Sequence, residues 1–351
     1  MNGLDARPCL VTGATGLLGS HIAERLVARG DRVQALVRPG SDTAFLESLG
    51  IELIVGNLAD PASVAKAVEG IEEVYHCAAK VGDWGRWREF RIDCLEATDC
   101  LARASIDARV GRFLHISSTS AYGHPTEGGP PIDESAPLGL RLWPIWDYYT
   151  RSKVECERIL WRLAADRALP LTVIRPSWLY GERDRTSLRR LVGRLREGKF
   201  PLIGPGDNPL SAIYVGNVAD AAILAARDPG SVGEAYNITD QGPMTQREFL
   251  GLFAEAAGAP PPVRHVPYAA TFAVAFLLEA TGRLTGRTRP PLITRYATWL
   301  MGRDLAYSTE KARTRLGWTP AIGNRESIER SVRWFLAQGG PAMALRPTRP
   351  A

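Results

Sequence analysis

A tyrosine and a lysine four positions apart are the side chains in this sequence best suited to acid–base chemistry. Tyr149 and Lys153 lie in the segment DYYTRSKVECERIL, whose pattern predicts a helix. Residues four apart share one helix face, so both side chains can reach one bound molecule. A nearby cation favours the ionised phenolate, which suits a phenol to general acid–base work. Tyr148 competes for this role, but its fourth neighbour is the uncharged Ser152.

A group of hydroxyl side chains lies upstream of this pair, in the segment HISSTSAYGHP. The segment follows an apolar, strand-like run, so a carbonyl group bound near the strand end could accept a hydrogen bond there. Strand ends rich in serine and threonine also form ordinary turns, and that interpretation stays open at this stage.

Three glycines at the start of the chain predict a binding site for a dinucleotide. Residues 9–19 read CLVTGATGLLG and lead directly into a helical pattern. Gly13 permits a tight turn, Gly16 lets backbone N–H groups approach a pyrophosphate, and Gly19 lets the helix pack closely on the strand. The positive end of the helix dipole then points at the phosphates. A plain turn of this composition is the alternative.

The elements around these residues predict an α/β fold. Six strand-like runs alternate with helical patterns through the first half, which favours a Rossmann-type, doubly wound parallel sheet followed by a smaller, mostly helical C-terminal substrate domain. We assign residues 1–176 and a returning segment of about 211–240 to the nucleotide-binding domain, and 177–210 and 241–335 to the substrate-binding part. Residues 339–351 lack periodicity and are predicted to be disordered.

The composition favours a globular, cytoplasmic protein that does not bind nucleic acid. The 351 residues are 45% hydrophobic and 23% charged with a net charge of +5, and the basic residues are scattered apart from one arginine cluster within 183–196. The five cysteines have neither pairing nor metal-ligand spacing, so we expect reduced thiols and no metal site. The N-terminus lacks the apolar core of a signal peptide.

The longest apolar run is too short to cross a bilayer, so we expect no transmembrane segment. It lies within 268–280 and reads YAATFAVAFLLEA. We predict a buried helix near the substrate site. An interfacial helix that makes peripheral contact with a membrane is the alternative.

Five segments together resemble the extended short-chain dehydrogenases/reductases, the superfamily of NAD-dependent epimerases and dehydratases. They occur in the order of that superfamily and read TGATGLLG, HCAA, SSTSAYG, Tyr149-x-x-x-Lys153 and RPSWLYG. The resemblance implies an NAD(P)-dependent dehydrogenase or reductase acting on CH–OH groups, and a homodimer. It implies that Tyr149 exchanges a proton with the substrate oxygen, that Lys153 binds the nicotinamide ribose, and that Ser118, with Thr119 as second choice, hydrogen-bonds the substrate.

The resemblance also implies a set of cofactor contacts at the glycine turn and the strand ends. These are Gly13, Thr15, Gly16, Leu17, Leu18, Gly19, Arg38, Asn57, Leu58, Ala78, Ala79, Lys80, Tyr149, Lys153, Pro176 and Ser177. Two positions depart from the usual pattern. Asp93 stands where the family often has asparagine on the fourth helix, and Asn57 replaces the usual aspartate at the adenine pocket.

The end of the second strand favours NADP(H) over NAD(H). NAD-dependent enzymes commonly place a carboxylate there to bind the ribose 2′-hydroxyl group. Here that position is Val37, and Arg38 follows it. A guanidinium group matches the geometry of a 2′-phosphate. The alternative is that Arg38 is an ordinary surface arginine.

Two segments and several aromatic residues favour a lipophilic ketone or secondary alcohol as substrate. AAKVGDWGRW and LSAIYVGNVADA resemble segments of the 3β-hydroxysteroid dehydrogenase-like proteins and 2-alkyl-3-oxoacid reductases. Aromatic rings in segments expected to border the cleft bury large apolar areas. Those aromatic residues are Trp143, Trp146, Trp178, Phe272, Phe276 and Trp299. Our candidates for direct contact with the substrate are Trp84, Thr119, Trp146 and Trp178. A nucleotide-sugar epimerase or dehydratase with tightly bound NAD, and a non-catalytic NADP-binding protein, are the alternatives.

Overall fold

A seven-stranded parallel sheet organises the protein in a computed structural model that describes residues 6–240 and 244–339. The predicted tail therefore lies outside the described residues from position 340 onward. The strands are β1 (Pro8–Thr12), β2 (Arg32–Val37), β3 (Glu52–Val55), β4 (Glu73–His76), β5 (Arg112–Ile116), β6 (Leu171–Pro176), β7 (Trp178–Tyr180), β8 (Leu202–Ile203), β9 (Ala212–Tyr214), β10 (Glu234–Ile238) and β11 (His265–Val266).

Helices connect the strands and make up most of the C-terminal region. They are α1 (Leu17–Ala28), α2 (Ala44–Ser48), α3 (Pro61–Val68), α4 (Trp87–Phe90), α5 (Ala97–Asp107), α6 (Tyr148–Arg167), α7 (Ser187–Arg196), α8 (Val215–Arg227), α9 (Gln246–Ala256), α10 (Tyr268–Leu284), α11 (Arg295–Gly302), α12 (Glu310–Leu316) and α13 (Asn324–Ala337). In the part of the chain that the structure describes, no helix is long and apolar enough to cross a membrane.

The main sheet has the strand order β10-β6-β5-β4-β1-β2-β3, and every pairing in it is parallel. Alternate residues of β1 point to opposite faces, so Val11 packs with α1 and α8 on one side while Leu10 packs with α3, α5 and α6 on the other. The predicted doubly wound parallel sheet and mostly helical C-terminal region are therefore confirmed. The carboxyl ends of β1, β2, β4, β5 and β6 meet along one edge, where such folds bind ligands.

One buried carboxylate fixes α6 against the sheet. Glu157 is fully buried and accepts hydrogen bonds from Arg175 of β6, with Nη2 to Oε2 at 2.6 Å, and from the Ser117 hydroxyl at 2.5 Å. Arg175 also donates to the Tyr122 hydroxyl at 2.9 Å. A buried ion pair is tolerated only when its remaining polar atoms are hydrogen-bonded, and these contacts meet that requirement. The result is a fixed distance between α6 and the ends of β5 and β6.

Removal of this carboxylate should destabilise the protein strongly. We expect Glu157→Ala to lower the free energy of unfolding by about 3–5 kcal/mol, because it leaves the buried Arg175 guanidinium without its counter-ion. Glu155→Ala on the same helix is the matched control, since Glu155 pairs with Arg158 at the surface, and it should cost about 1 kcal/mol or less. Equilibrium denaturation in guanidinium chloride measures both values. Equal losses in the two variants would contradict the assignment.

Candidate active site

The glycine turn after β1 has the backbone geometry that a pyrophosphate site requires. Gly13 has φ +67°, and a Cβ atom there would lie 2.7 Å from the backbone nitrogen of Ala78. A Cβ atom on Gly19 would lie 2.2 Å from the Gly13 carbonyl oxygen. Gly16 is exposed, caps α1 without a side-chain hydrogen bond, and leaves the first-turn N–H groups available to an anion. The residues present therefore fit a dinucleotide.

The neighbouring strand ends place the other cofactor candidates around this turn. Arg38 is exposed and directly follows β2, next to β1 in the sheet. The backbone N–H of Ala78 donates to the Thr12 hydroxyl at 3.4 Å. Lys80 forms an ion pair with Glu89 at 2.8 Å. The remaining candidates from the sequence lie on the same carboxyl edge or in the turn, and they are Thr15, Leu17, Leu18, Asn57, Leu58, Ala79, Pro176 and Ser177.

The structure brings the three predicted catalytic side chains to the junction of β5 and α6. Lys153 is buried and donates to the carbonyl oxygen of Ile116, the last residue of β5, at 3.2 Å. Ser118 follows two residues later and accepts a hydrogen bond from the Ser120 backbone at 3.1 Å. Tyr149 lies one turn before Lys153 and is half-buried. A phenol, an ammonium group and a hydroxyl group thus converge beside the glycine turn.

A second tyrosine, which the sequence did not reveal, completes this group. The Tyr296 hydroxyl lies 2.6 Å from the Ser120 hydroxyl, which in turn accepts from Ser118 at 3.1 Å. The rings of Tyr149 and Tyr296 meet edge to face with centroids 5.4 Å apart. Burial raises the pKa of Tyr296 well above its usual value, so its hydroxyl is neutral and able to donate. Tyr296 lies in α11, far along the chain, and no motif marks it.

The fourth helix presents Cys94 to the site, and not Asp93. Residues Arg91–Glu96 form a π-helical stretch between α4 and α5, a feature often found near functional sites. Asp93 is exposed, whereas Cys94 is buried and its sulfur accepts from the Lys80 backbone at 3.3 Å. Burial raises the pKa of the Cys94 thiol. Asp93, which stands at the family's asparagine position in the sequence, therefore lies on the solvent side of this stretch, and Cys94 lies on the side that contacts Lys80.

A buried histidine and aspartate fix the start of α6. Asp147 immediately precedes the helix, and its carboxylate lies 2.9 Å from Nε2 of His124 and accepts from the Trp143 backbone at 3.0 Å. The Trp143 ring stacks on His124 with centroids 3.9 Å apart. These contacts hold the first turn of α6, and with it Tyr149, against the loop after β5.

Aromatic rings extend from this loop to the C-terminal helices, and we call them the aromatic wall. Tyr296 touches Trp299, Trp299 touches His124, and Trp143 touches Phe272, with centroid distances between 4.7 and 6.0 Å. The Arg295 guanidinium, paired with Glu279 at 2.8 Å, lies over several of these rings. The wall consists of His124, Trp143, Trp146, Phe272, Phe276, Tyr296 and Trp299.

The other predicted substrate residues lie in three different surroundings. Trp84 is buried, donates to the Arg287 carbonyl oxygen at 3.2 Å and lies under the Arg283 guanidinium. Thr119 is buried beside Ser118. Trp178 packs on Phe249 of α9 at the main core, and among the described residues its ring contacts no ring of the aromatic wall.

Comparison with known proteins identifies the family. Residues 9–239 match the NAD dependent epimerase/dehydratase family. The chain is 31% identical to 4-hydroxy-2-methyl-3-oxo-4-farnesyl-3,4-dihydroquinoline-1-oxide ketoreductase of Stigmatella aurantiaca, covering 95% of this chain and 96% of the relative. It is 30% identical to 2-alkyl-3-oxoalkanoate reductase of Stenotrophomonas maltophilia, covering 92% and 97%. The crystal structure of gox2253 superposes with a TM-score of 0.79 at 29% identity, covering 95% and 99%.

The chain therefore belongs to the NAD-dependent epimerase/dehydratase family of extended short-chain dehydrogenases/reductases. The predicted family, branch and enzyme class are confirmed, since the relatives named above are reductases. Family membership also supports a nicotinamide dinucleotide, NAD or NADP, as the cofactor.

Introducing one negative charge at the glycine turn tests whether the turn binds the cofactor pyrophosphate. Gly16→Asp should weaken NADH and NADPH binding by at least about tenfold, because it places a carboxylate where the pyrophosphate must approach. Gly323→Asp is the matched control, since Gly323 likewise caps a helix, α13, in an extended conformation. Titration calorimetry measures binding, and circular dichroism checks that both variants are folded. Unchanged binding by Gly16→Asp would contradict the site.

Proposed function

We propose that this member of the family is an NADP(H)-dependent oxidoreductase that interconverts a ketone and a secondary alcohol on a lipophilic substrate. The observation that carries the proposal is the convergence of Tyr149, Lys153 and Ser118 between the glycine turn and the aromatic wall. We place the cofactor on residues 1–176 and the returning segment 211–240. The substrate then lies against the part formed by 177–210 and 241–335, and the enzyme works as a cytoplasmic homodimer.

The chain's own residues supply the proton and hold the oxygen in this mechanism. A dinucleotide held by the glycine turn and Lys153 would supply or accept the hydride at the carbon atom of the carbonyl group. The Ser118 hydroxyl, which donates to Ser120 in the unliganded structure, would turn its proton to the substrate oxygen when substrate binds, and Tyr149 would deliver the proton to that atom during reduction. Lys153 binds the nicotinamide ribose and stabilises the phenolate left on Tyr149, since it is held in place by the Ile116 carbonyl group. Tyr296 keeps the Ser118 hydroxyl oriented through Ser120.

The aromatic wall supports a lipophilic substrate. Its half-buried rings Trp143, Trp146 and Phe272 offer apolar area and few hydrogen-bonding groups, and the wall meets Tyr149 at Tyr296. The Arg295 charge within the wall is already paired with Glu279. A sugar nucleotide would need several polar partners at this place. The names of the two relatives, one a farnesyl-bearing ketone reductase and the other a 2-alkyl-3-oxoalkanoate reductase, support the same substrate class.

Tyr149 should be indispensable for turnover, whereas Tyr148 should not. Tyr149→Phe should lower kcat by at least about 100-fold, because general acid–base catalysis is worth about 10²- to 10⁴-fold. Tyr148→Phe is the matched control, since its ring packs on Trp87 and would be kept. NADPH oxidation with a long-chain 2-alkyl-3-oxoalkanoate or a 3-oxosteroid measures turnover. Full activity of Tyr149→Phe would overturn the mechanism, and cofactor affinity should stay within about twofold in both variants.

Arg38 should decide the preference for NADPH. Arg38→Ala should raise the Kd of NADPH by at least about tenfold and leave that of NADH within about twofold, because only NADPH carries the 2′-phosphate. Arg32→Ala, at the exposed start of the same strand, is the control. An unchanged NADPH/NADH ratio in Arg38→Ala would refute this assignment.

A further inference from the structure

Helix α10 carries an apolar stripe that nothing in the described structure covers. Val274, Leu277 and Leu284 are 51%, 61% and 87% exposed, far above what side chains of this size show in a packed helix. Ala270 and Ala273 continue the stripe toward the N-terminus. The spacing of three and four residues places all five on one side of the helix. We call these five residues the α10 face.

The opposite side of the same helix is firmly packed. Ala275, Glu279 and Gly282 are its buried residues. Glu279 accepts from both the backbone N–H and the side chain of Arg295, at 2.7 and 2.8 Å, and Gly282 lies against the Trp84 ring. The helix is thus held in one orientation, so the α10 face points outward as a fixed feature of the fold.

The charges near the α10 face are predominantly positive, and Glu89, a half-exposed acid of the adjoining segment, is paired with Lys80. Residues 257–303 contain six arginines and a single acid, Glu279, whose carboxylate is buried and paired. Arg287 and Arg289 follow the helix, are exposed, and form no ion pair with any residue that the structure describes. Arg86 is exposed in the loop that Trp84 ties to the Arg287 backbone. An apolar strip with a cationic end is complementary to a surface that is apolar inside and anionic outside.

We propose that the α10 face binds the surface of an anionic lipid bilayer, with the helix lying in the interface and Arg287 and Arg289 on the lipid phosphates. The 17 residues of α10 are long enough for an interfacial helix, and Leu277 and Leu284 would enter the acyl boundary. Basic side chains next to such a helix add electrostatic attraction to anionic lipids. The binding is peripheral, and it does not depend on the proposed reaction.

A second copy of the chain fits this surface less well. A two-fold interface would place the same patch on both partners. Arg287 and Arg289 of one copy would then face the same arginines of the other, without an exposed acid in the segment to compensate. The positive charges of Arg287 and Arg289 therefore favour an anionic partner, and the apolar stripe favours a partner with a hydrocarbon interior.

Vesicle flotation tests the proposal, with phosphatidylcholine vesicles prepared with and without phosphatidylglycerol. The wild-type protein should bind the phosphatidylglycerol vesicles and be released by salt. Leu277→Glu should reduce binding by at least about tenfold, because it places a charge in the apolar stripe. Leu224→Glu on α8, where Leu224 is 40% exposed, is the matched control and should bind normally.

Charge reversal tests the second half of the proposal. Arg287→Glu/Arg289→Glu should weaken binding by about 25-fold or more, at about fivefold for each basic side chain removed. Arg29→Glu, at an exposed position after α1, should change it little. Circular dichroism and NADPH affinity should be unchanged in every variant, which separates this test from that of the reaction. Equal vesicle binding by wild type and Leu277→Glu would overturn the proposal. The proposal would also be overturned if the protein formed a concentration-dependent dimer in analytical ultracentrifugation, if Leu277→Glu abolished that dimer, and if neither the wild type nor any variant bound vesicles.

Discussion

The buried contact between Glu157 and Arg175 is the constraint on which the candidate active site depends. Glu157 lies one helical turn beyond Lys153, and it also holds the hydroxyl of Ser117, the neighbour of Ser118. One carboxylate therefore sets where the helix that carries Tyr149 stands relative to the strand end that carries Ser118. Because both ion-pair partners are buried and hydrogen-bonded, this geometry cannot relax without a large loss of stability.

Helix α10 connects the site to the outer surface. Its inner side pairs Glu279 with Arg295, which orders the start of α11 and places Tyr296 against Tyr149. Its outer side is the α10 face. A lipophilic molecule in a bilayer would thus lie one helix away from the aromatic wall. A surface that binds a bilayer would bring the enzyme to a source of lipophilic substrate. The two proposals are therefore compatible, and each rests on its own observations.

The fold was predictable from the sequence, and so was the position of Tyr149 and Lys153 one turn apart on a single helix, since both depend on local patterns. Alternating strands and helices, the glycine turn and the Tyr149–Lys153 spacing are short-range signals with direct physical causes. Tyr296 was beyond prediction because its contact with Ser120 joins positions 176 residues apart. The π-helical stretch was not predicted, and neither was the burial of Cys94 in it, because Cys94 packs against Cys156 of the distant helix α6. The apolar run within 268–280 was predicted as a buried helix, yet only Ala275 and Glu279 of that run are buried, because one face alone meets the rest of the protein.

The most direct test of the proposed reaction follows the hydride itself. NADPH carrying deuterium on either face of nicotinamide C4 would be supplied with a hydrophobic ketone, and the alcohol product examined by mass spectrometry. A reductase of the proposed kind places one deuterium on the new carbinol carbon from one of the two labelled cofactors and forms one NADP⁺ for each product molecule. Product formation without net NADPH oxidation, with no deuterium in the product, would contradict the account and indicate an epimerase or dehydratase that returns the hydride to its substrate.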